Sequence, residues 1–315
     1  MAAPHTCRTS LEIASQPDTW RRAAASADSL STALPRRGER VAVVGCGTSW
    51  FMAIAYAQLR ETGGHGETDA FAASEFPTGR DYDRVLAITR SGTTTEVLDL
   101  LARLKGTIAT SAITADPATA VMDLADSVAV LDFADEESVV QTRFATSVLA
   151  LLRAHLEAEG ALPDGVRPMA GAIEDAQRAV DAPIGDDVRG AEQFTFLGTG
   201  WSYGLALEAG LKMREAAGAW TEAYPAMEYR HGPISITGPN RVAWLFGTAP
   251  QGLADDVAKV GGAFVAGSEA AGGLDPLADL ILVQRLAVLI AQDRGYDPDR
   301  PRNLTRSVIL ADGQA

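Results

Sequence analysis

The chain has 315 residues, 47% hydrophobic and 22% charged, a composition typical of a globular protein with two domains. Its formal net charge of −14, without a basic stretch, argues against a nucleic-acid partner. A small phosphorylated ligand is still allowed, because helix N-termini bind phosphate through backbone N–H groups. The two cysteines, Cys7 and Cys46, lack metal-ligand spacing, and no apolar leader or membrane-spanning stretch is found. We therefore expect a cytoplasmic protein with no metal site and no membrane contact.

The first half of the chain predicts a parallel sheet flanked by helices. After a helical N-terminal arm (1–37), residues 40–45 (RVAVVG) indicate a buried strand and residues 49–60 a helix. The same succession recurs in a strand at 83–89, a turn at 90–93 and a helix at 94–105. Further strands are predicted at 107–114 and 127–131. Such alternation is typical of a parallel sheet with helices on both faces.

The second half repeats this pattern after a long helix at 136–160 and a linker helix at 162–187. It comprises a strand at 193–198, a glycine turn at 199–202, a helix at 203–217, strands at 242–246 and 263–266, and a helix at 276–294. The predicted fold class is α/β, with two doubly wound, flavodoxin-like parallel-sheet subdomains. We place these subdomains at 38–161 and 188–297, and an extended C-terminal tail at 298–315.

Two hydroxyl-rich glycine turns follow predicted strands at the sheet edge where open α/β proteins bind ligands. Residues 45–49 (GCGTS) and 90–95 (RSGTTT) would together surround one phosphate with helix N–H groups and hydroxyls. The alternative is that glycine makes a tight turn and Ser or Thr caps the next helix. Neither turn matches a Walker loop or the dinucleotide fingerprint, so no nucleotide cofactor is predicted. The candidate phosphate ligands are Thr48, Ser49, Arg90, Ser91 and Thr94.

A cluster of ionisable residues follows in the second half. Glu208, Lys212 and Glu215 share one face of the predicted helix by their i, i+4 and i+3 spacing. A surface ion-pair ladder is one explanation, and a catalytic carboxylate is the other. The segment 221–233 (TEAYPAMEYRHGP), read as a loop whose Gly and Pro fix the backbone after His231, favours catalysis.

These motifs, in this order and together with residues 206–215 (ALEAGLKMRE) and 301–308 (PRNLTRSV), resemble the SIS (sugar isomerase) family. The similarity is to the isomerase half of glucosamine-6-phosphate synthase and to stand-alone deaminases and deglycases of amino-sugar phosphates. The glutaminase half of the synthase has no counterpart in this sequence, so we do not expect glutamine-dependent synthesis.

The resemblance implies a role for individual residues. Glu215 would be the base that moves the C1/C2 proton, with Lys212 beside it. His231, contributed by the neighbouring subunit of a homodimer, would assist ring opening. The implied phosphate contacts are Gly47, Thr48, Ser49, Thr89, Arg90, Ser91 and Thr94, and the implied sugar-pocket residues are Val139, Val140 and Arg143. This chemistry is physically sound, because a carbon acid reacts only when a carboxylate is held against it and the resulting oxyanion is stabilised.

One tail residue departs from the family pattern. Where the family has a lysine able to form an imine with the sugar carbonyl, this sequence has Arg306, which stays protonated and cannot form that imine. Proton abstraction at C2 of an opened amino-sugar 6-phosphate is still expected. Two outcomes stay open: elimination of water from an N-acetylhexosamine 6-phosphate, and isomerisation or deamination of a free amino-sugar phosphate. The first has a precedent in the SIS etherase that eliminates at C3 of N-acetylmuramic acid phosphate.

A non-catalytic sugar-phosphate sensor is a different class of function, since SIS modules also serve in regulators. The arm before Gly45 is too short for a helix-turn-helix module with a linker. The presence of both Glu215 and His231 favours an enzyme, with Arg306 as a further candidate catalytic residue. The expected partners are a hexosamine phosphate and a second copy of the chain.

Overall fold

The computed structural model describes residues 7–266 and 273–311, which form two compact units. The five-stranded unit comprises Asp18–Glu136, Arg143–Met169 and the segment from Thr305 onward. The four-stranded unit comprises the segment up to Pro17, Glu137–Thr142 and Ala170–Leu304. Residues 1–6 of the predicted arm and 312–315 of the predicted tail lie outside the described residues.

The five-stranded unit is built on a parallel sheet with the strand order β2-β1-β3-β4-β5. Every residue of the strand after the N-terminal arm is buried, as expected for a central parallel strand with helices on both faces. In register, Val41 lies between Thr68 and Arg84. The strands are β1 (Val41–Gly45), β2 (Thr68–Ala72), β3 (Arg84–Ile88), β4 (Ala109–Thr114) and β5 (Ser127–Val130).

The four-stranded unit repeats this arrangement with a parallel sheet of order β7-β6-β8-β9. The buried strand of phenylalanines and leucine, Gln193–Gly198, is central and pairs with a strand on each side. The strands are β6 (Gln193–Gly198), β7 (Trp220–Pro225), β8 (Arg241–Phe246) and β9 (Ala263–Ala266).

The α-helices connect and cover these strands. In chain order we number them α1 (Arg8–Ala14), α2 (Gln16–Ala25), α3 (Thr48–Thr62), α4 (Thr95–Leu104), α5 (Val121–Leu124), α6 (Arg143–Ala158), α7 (Met169–Asp181), α8 (Asp186–Arg189), α9 (Ser202–Ala217), α10 (Leu253–Lys259) and α11 (Pro276–Asp293). In the four-stranded unit α9 packs against β6, β7 and α11. None of the described helices is long and apolar enough to cross a membrane.

The predicted fold class, two parallel-sheet α/β subdomains, is confirmed, while three local predictions were wrong. Strand β2 was not predicted, and β7 lies where the sequence indicated a loop. Both are edge strands and only partly buried, so neither has the continuous apolar run of a central strand. The long helix begins at Arg143 and not at 136, because the Glu136 side chain accepts the Arg143 N–H at its first turn.

Candidate active site

The two glycine turns lie side by side at the carboxyl edge of the five-stranded sheet. They follow β1 and β3, which are neighbours at the point where the strand order reverses, the usual ligand position in such sheets. Burial and, to a smaller extent, the nearby Glu96 carboxylate raise the pKa of the Cys46 thiol to about 11. The first turn of α4, which carries Glu96, therefore lies close enough to the turn at 45–49 to influence Cys46.

The first turn presents unused donors at the start of α3, a helix of 15 residues. The N-cap residue is Gly47, with a positive φ of 54°, so no side chain caps the start of this helix. Thr48 and Ser49 are buried, yet their hydroxyls make no hydrogen bond within the described part of the chain. The capping alternative is therefore not what the structure shows at this turn. A Cβ on Gly45 would come within 2.7 Å of the Ser49 Cβ, so glycine is required where strand and helix meet.

The second turn gathers four hydroxyl groups. Ser307 Oγ lies 3.1 Å from Ser91 Oγ, 3.1 Å from Thr93 Oγ1 and 3.4 Å from Thr94 Oγ1. The Thr89 hydroxyl, at the end of β3, is buried without a hydrogen-bond partner among the described residues. A buried hydroxyl without a partner is costly, so Thr89 is kept as a candidate ligand contact.

The C-terminal segment lies along this second turn. The Thr95 N–H, in the first turn of α4, donates to the Val308 carbonyl at 3.2 Å. The Leu310 N–H donates to Thr95 Oγ1 at 2.9 Å. One of the free N–H groups at the start of α4 is thus already used by the chain itself.

Arg90 belongs to a buried charge network. Its Nη1 lies 3.5 Å from Glu136 Oε2, and its Nη2 donates to the Arg306 carbonyl at 3.2 Å. The Arg306 guanidinium donates to Asp135 Oδ1 at 2.6 Å and to the Glu136 carbonyl. Arg143 joins the same segment, because its Nε donates to the Asp135 carbonyl at 2.9 Å. Arg90 and Arg306 are therefore both held by carboxylates of the five-stranded unit.

In the four-stranded unit, α9 holds a buried lysine between two carboxylates. The Lys212 ammonium lies 3.5 Å from Glu208 Oε1 and donates to Glu215 Oε2. The Lys212 and Glu208 side chains are 2% and 1% exposed, and that of Glu215 is 18% exposed. The alternative of a surface ion-pair ladder was wrong. Of the two carboxylates, Glu215 is therefore the one that solvent or a ligand can reach.

The segment after α9 places His231 at the surface. Glu222 and Tyr224 lie on β7, where the Tyr224 hydroxyl donates to Glu222 at 3.2 Å. A short 3₁₀ helix, Glu228–His231, follows and ends at Gly232, whose φ is 134°. The His231 ring is exposed and makes no hydrogen bond or ion pair with another described residue. Its imidazole is therefore available to a ligand or a second chain.

The remaining sugar-pocket candidates, Val139 and Val140, form backbone hydrogen bonds with other residues of the chain. The Val139 N–H donates to the Asp299 carbonyl at 3.2 Å, and Val140 is buried with its carbonyl accepting from Ser138 Oγ at 3.0 Å. The polar groups of the glycine turn after β6 likewise form hydrogen bonds within the chain. Its Ser202 hydroxyl accepts from the Thr199 N–H and donates to the Phe246 carbonyl, each at 2.9 Å.

Several contributors were not singled out from the sequence. Thr93 and Ser307 complete the hydroxyl cluster, and Asp135 binds Arg306. Ser307 stands within the tail motif at 301–308, so its place in the motif was a usable signal. No sequence signal pointed to Asp135, because local spacing does not connect it with Arg306, which lies 171 positions away.

Comparisons with known proteins agree with this architecture. No family model matches the sequence. The chain is 29% identical over 322 residues to the glutamine–fructose-6-phosphate aminotransferase (isomerizing) of Halobacterium salinarum and 28% identical over 316 residues to that of Gloeobacter violaceus. These alignments cover 89% and 86% of the chain but 53% and 52% of the relatives, so the chain spans about half the length of the curated relatives it matches.

Solved structures share the fold. A glucosamine-6-phosphate deaminase from Thermotoga maritima has a TM-score of 0.77 at 21% identity, covering 96% of this chain and all of its own. A tagatose-6-phosphate ketose/aldose isomerase from Escherichia coli has a TM-score of 0.78 at 19% identity, covering 100% of this chain and 99% of its own.

Proposed function

The chain resembles the SIS (sugar isomerase) family in sequence and fold, and from this premise we propose that it is a sugar-phosphate isomerase or deaminase acting on an amino-sugar 6-phosphate. The observation that carries the proposal is Glu215, a partly exposed carboxylate whose position is fixed by the buried Lys212. A positioned base of this kind contributes about 10²–10⁴-fold to a proton transfer from carbon.

The proposed reaction moves one proton between neighbouring carbons. Glu215 removes the proton at C2 of the opened sugar and returns it to C1. The C1 carbonyl oxygen gains a proton and becomes a hydroxyl, and the C2 amine loses one of its N–H protons and becomes an imine. Water then hydrolyses the imine to a ketose phosphate and ammonia, so atoms balance without an oxidant. The hydroxyls of Thr48, Ser49 and Thr89 are assigned to the substrate, because they have no partner in the described chain.

His231 is assigned to ring opening of a sugar bound by a second copy of the chain. Its exposure and its lack of intrachain partners support this role. An imidazole is suited to it, since its ordinary pKa lies close to neutrality and it can both accept and donate a proton.

Proton NMR in D₂O with glucosamine 6-phosphate tests the proposal directly. We expect loss of the C2 proton signal and appearance of ketose phosphate and ammonia. Glu215→Gln should lower the exchange rate by about 10²-fold or more. The control is Glu192→Gln, an exposed carboxylate of the same unit. If the wild type binds the sugar phosphate but does not exchange its C2 proton, the enzyme proposal is wrong and the non-catalytic sensor is favoured.

A second candidate reaction is elimination of water from an N-acetylhexosamine 6-phosphate. It is favoured by Arg306, which cannot form an imine and whose guanidinium is bound to Asp135. The same experiment with N-acetylglucosamine 6-phosphate distinguishes it, because elimination gives an olefinic proton signal. If the C2 proton of glucosamine 6-phosphate exchanges but the acetylated sugar gives no olefinic signal, the elimination reaction is excluded.

A further inference from the structure

The five-stranded unit has a cavity of about 410 Å³ at the edge of the sheet opposite to the two glycine turns. One side is formed by residues 76–82, which lead into β3, and the other by residues 100–108, which end α4 and lead into β4. The cavity therefore lies where strands begin, whereas the glycine turns follow the carboxyl ends of β1 and β3. The 10 residues of α4 place it about 15 Å from the second turn.

Part of the lining is apolar and belongs to the hydrophobic core of this unit. Phe76, Tyr82, Leu100 and Leu104 line the cavity and are members of the core cluster that packs α4 against the sheet. The Phe76 and Tyr82 rings lie 5.8 Å apart. The Tyr82 hydroxyl donates to Asp69 at 2.6 Å, so the chain already satisfies this polar group. These four side chains offer a ligand carbon surface, in a cavity whose size is typical of small-molecule sites.

Two opposite charges of the lining have no partner in the part of the chain that the structure describes. Arg103 lies in the last turn of α4 and Asp81 on the segment before β3, and neither forms an ion pair or a side-chain hydrogen bond there, not even with the other. Arg80 differs from them, because its guanidinium donates to Asp69 at 3.2 Å. A ligand that matches this lining therefore carries one anionic and one cationic group.

The position of Arg103 at a helix C-terminus does not account for it. Cations often hydrogen-bond the last carbonyls of a helix, but the Arg103 guanidinium donates to none in the described chain. Thr107 closes this end of α4 instead, since its N–H and its hydroxyl donate to the Leu104 carbonyl at 2.9 and 2.7 Å. The next cation, Lys105, donates to the Asp123 carbonyl at 2.9 Å. Arg103 is thus the cation at this end of α4 that stays available to a ligand.

We propose that this cavity binds a free amino acid with an apolar side chain. Arg103 binds its α-carboxylate, Asp81 binds its α-ammonium group, and its side chain packs against the aromatic rings and leucines of the lining. A guanidinium fork matches a carboxylate with two charge-assisted hydrogen bonds. A free amino acid carries both charges on one carbon, next to its apolar side chain, so one small ligand meets all three parts of the lining. The inference goes beyond the proposed function, because no bond is made or broken at this site.

Phenylalanine is the probe, and three analogues each lack one of its parts. Phenylalaninamide lacks the carboxylate, 3-phenylpropionate lacks the ammonium group, and alanine lacks the ring. Calorimetry at about pH 6, where α-amino groups are protonated, measures the binding of all four compounds. We expect phenylalanine to bind with a Kd of about 0.01–1 mM, as is usual for so small a ligand. Loss of either charge should weaken binding about 3–10-fold, and loss of the ring about 10-fold or more.

Two substitutions assign each charge of the ligand to its partner. Arg103→Gln should abolish the preference for phenylalanine over phenylalaninamide and keep the preference over 3-phenylpropionate, and Asp81→Asn should do the reverse. Both side chains are exposed and lack a described partner, so neither substitution removes a contact that stabilises the fold.

The controls are Asp99→Asn and Arg21→Gln. Asp99 is an exposed carboxylate of α4 outside the lining, and Arg21 is an exposed arginine of α2. Neither control should change the affinity for any of the four compounds. Saturating glucosamine 6-phosphate should also leave the affinity for phenylalanine unchanged, because the cavity lies at the other edge of the sheet from the glycine turns.

Three results would overturn the proposal. The first is no saturable binding of phenylalanine by the wild type up to about 10 mM, well above the expected Kd. The second is equal binding of phenylalanine and 3-phenylpropionate, which would make the cavity a site for an aromatic anion. The third is competition by glucosamine 6-phosphate together with unchanged phenylalanine binding in Arg103→Gln and Asp81→Asn, which would place phenylalanine in the candidate active site.

Discussion

Lys212 is the residue on which the charge balance of α9 depends. Removing it takes away the ammonium group that pairs with both the Glu208 and the Glu215 carboxylate. Breaking a buried ion pair from one side costs about 3–5 kcal/mol, so Lys212→Met should lower the free energy of unfolding by that amount at pH 7. Urea denaturation measures it.

Lys259→Met is the matched control for this prediction. Lys259 pairs with Asp256 at 3.2 Å, but its side chain is 72% exposed, so its loss should change stability by less than about 1 kcal/mol. Equal effects of the two substitutions would show that burial of the α9 triad contributes nothing. Adding Glu208→Gln to Lys212→Met should recover part of the loss, because one buried charge is removed.

At the scale of elements, the turn between β3 and α4 depends on Gly92. Its φ is 62°, and a Cβ there would lie 2.0 Å from Thr119 Oγ1. Gly106 has a similar φ of 77° with nothing within 4 Å of a Cβ. Gly106→Ala should therefore cost only the backbone strain of about 1–2 kcal/mol, and Gly92→Ala about 1–3 kcal/mol more.

Urea denaturation of both glycine variants checks these values, and calorimetry with glucosamine 6-phosphate checks the site. Binding should weaken in Gly92→Ala and stay at the wild-type value in Gly106→Ala, because Gly92 positions the Ser91 and Thr94 hydroxyls. If both variants bind glucosamine 6-phosphate equally well, the turn between β3 and α4 is not part of the phosphate site.

The same elements show what could be predicted from the sequence. The central strand β1 is a continuous apolar run and β6 is rich in phenylalanine, and both end in glycine before a helix, so local pattern defines them. The edge strands β2 and β7 lack this pattern because they are only partly buried, and β7 includes the charged residue Glu222. The hydroxyls of the two turns were predictable from their place after the strands. The pairing of Ser307 with Ser91 was not, since it joins residues 216 positions apart.

At the scale of the molecule, one buried group in each unit makes stability depend on pH, and the two effects have opposite signs. In the five-stranded unit, burial lowers the pKa of His65 to about 4. Its unfolded form binds a proton below about pH 6.5, so stability is lost as the pH falls from about 6.5 towards 4. In the four-stranded unit, burial raises the pKa of Asp279, whose carboxylate accepts from Trp244, to about 7. There stability is lost as the pH rises from about 4 to 7.

Urea denaturation at pH 4.5 and 7.5 checks both signs. His65→Gln should flatten the acid-side loss, which is up to about 3 kcal/mol, and Asp279→Asn should stabilise the protein mainly at pH 7.5. His231→Gln is the control, because that exposed ring has no described partner, and its pH response should equal that of the wild type. An unchanged slope in His65→Gln would contradict the assignment.

The proposed assembly of two copies gives a further prediction at this scale. If His231 serves a sugar bound by a second chain, Glu215→Gln and His231→Ala, each nearly inactive alone, should restore activity when mixed and reassembled. Half of the dimers are then mixed, and each mixed dimer has one intact site, so about a quarter of wild-type activity is expected. Activity no higher than that of the separate variants would place His231 and Glu215 in the same chain's site.

The contact between the tail and the second hydroxyl turn has a consequence for biosynthesis. The Arg306 carbonyl that accepts from Arg90 lies 216 residues further along the chain. A ribosome adds about 5–20 residues per second, so roughly 10–40 s separate the synthesis of these two residues. During that time the Thr95 N–H and the hydroxyls of Ser91 and Thr94 have no tail to bind. The five strands are thus synthesised well before the tail that completes this turn, so the tail can dock only after the rest of the unit has been made.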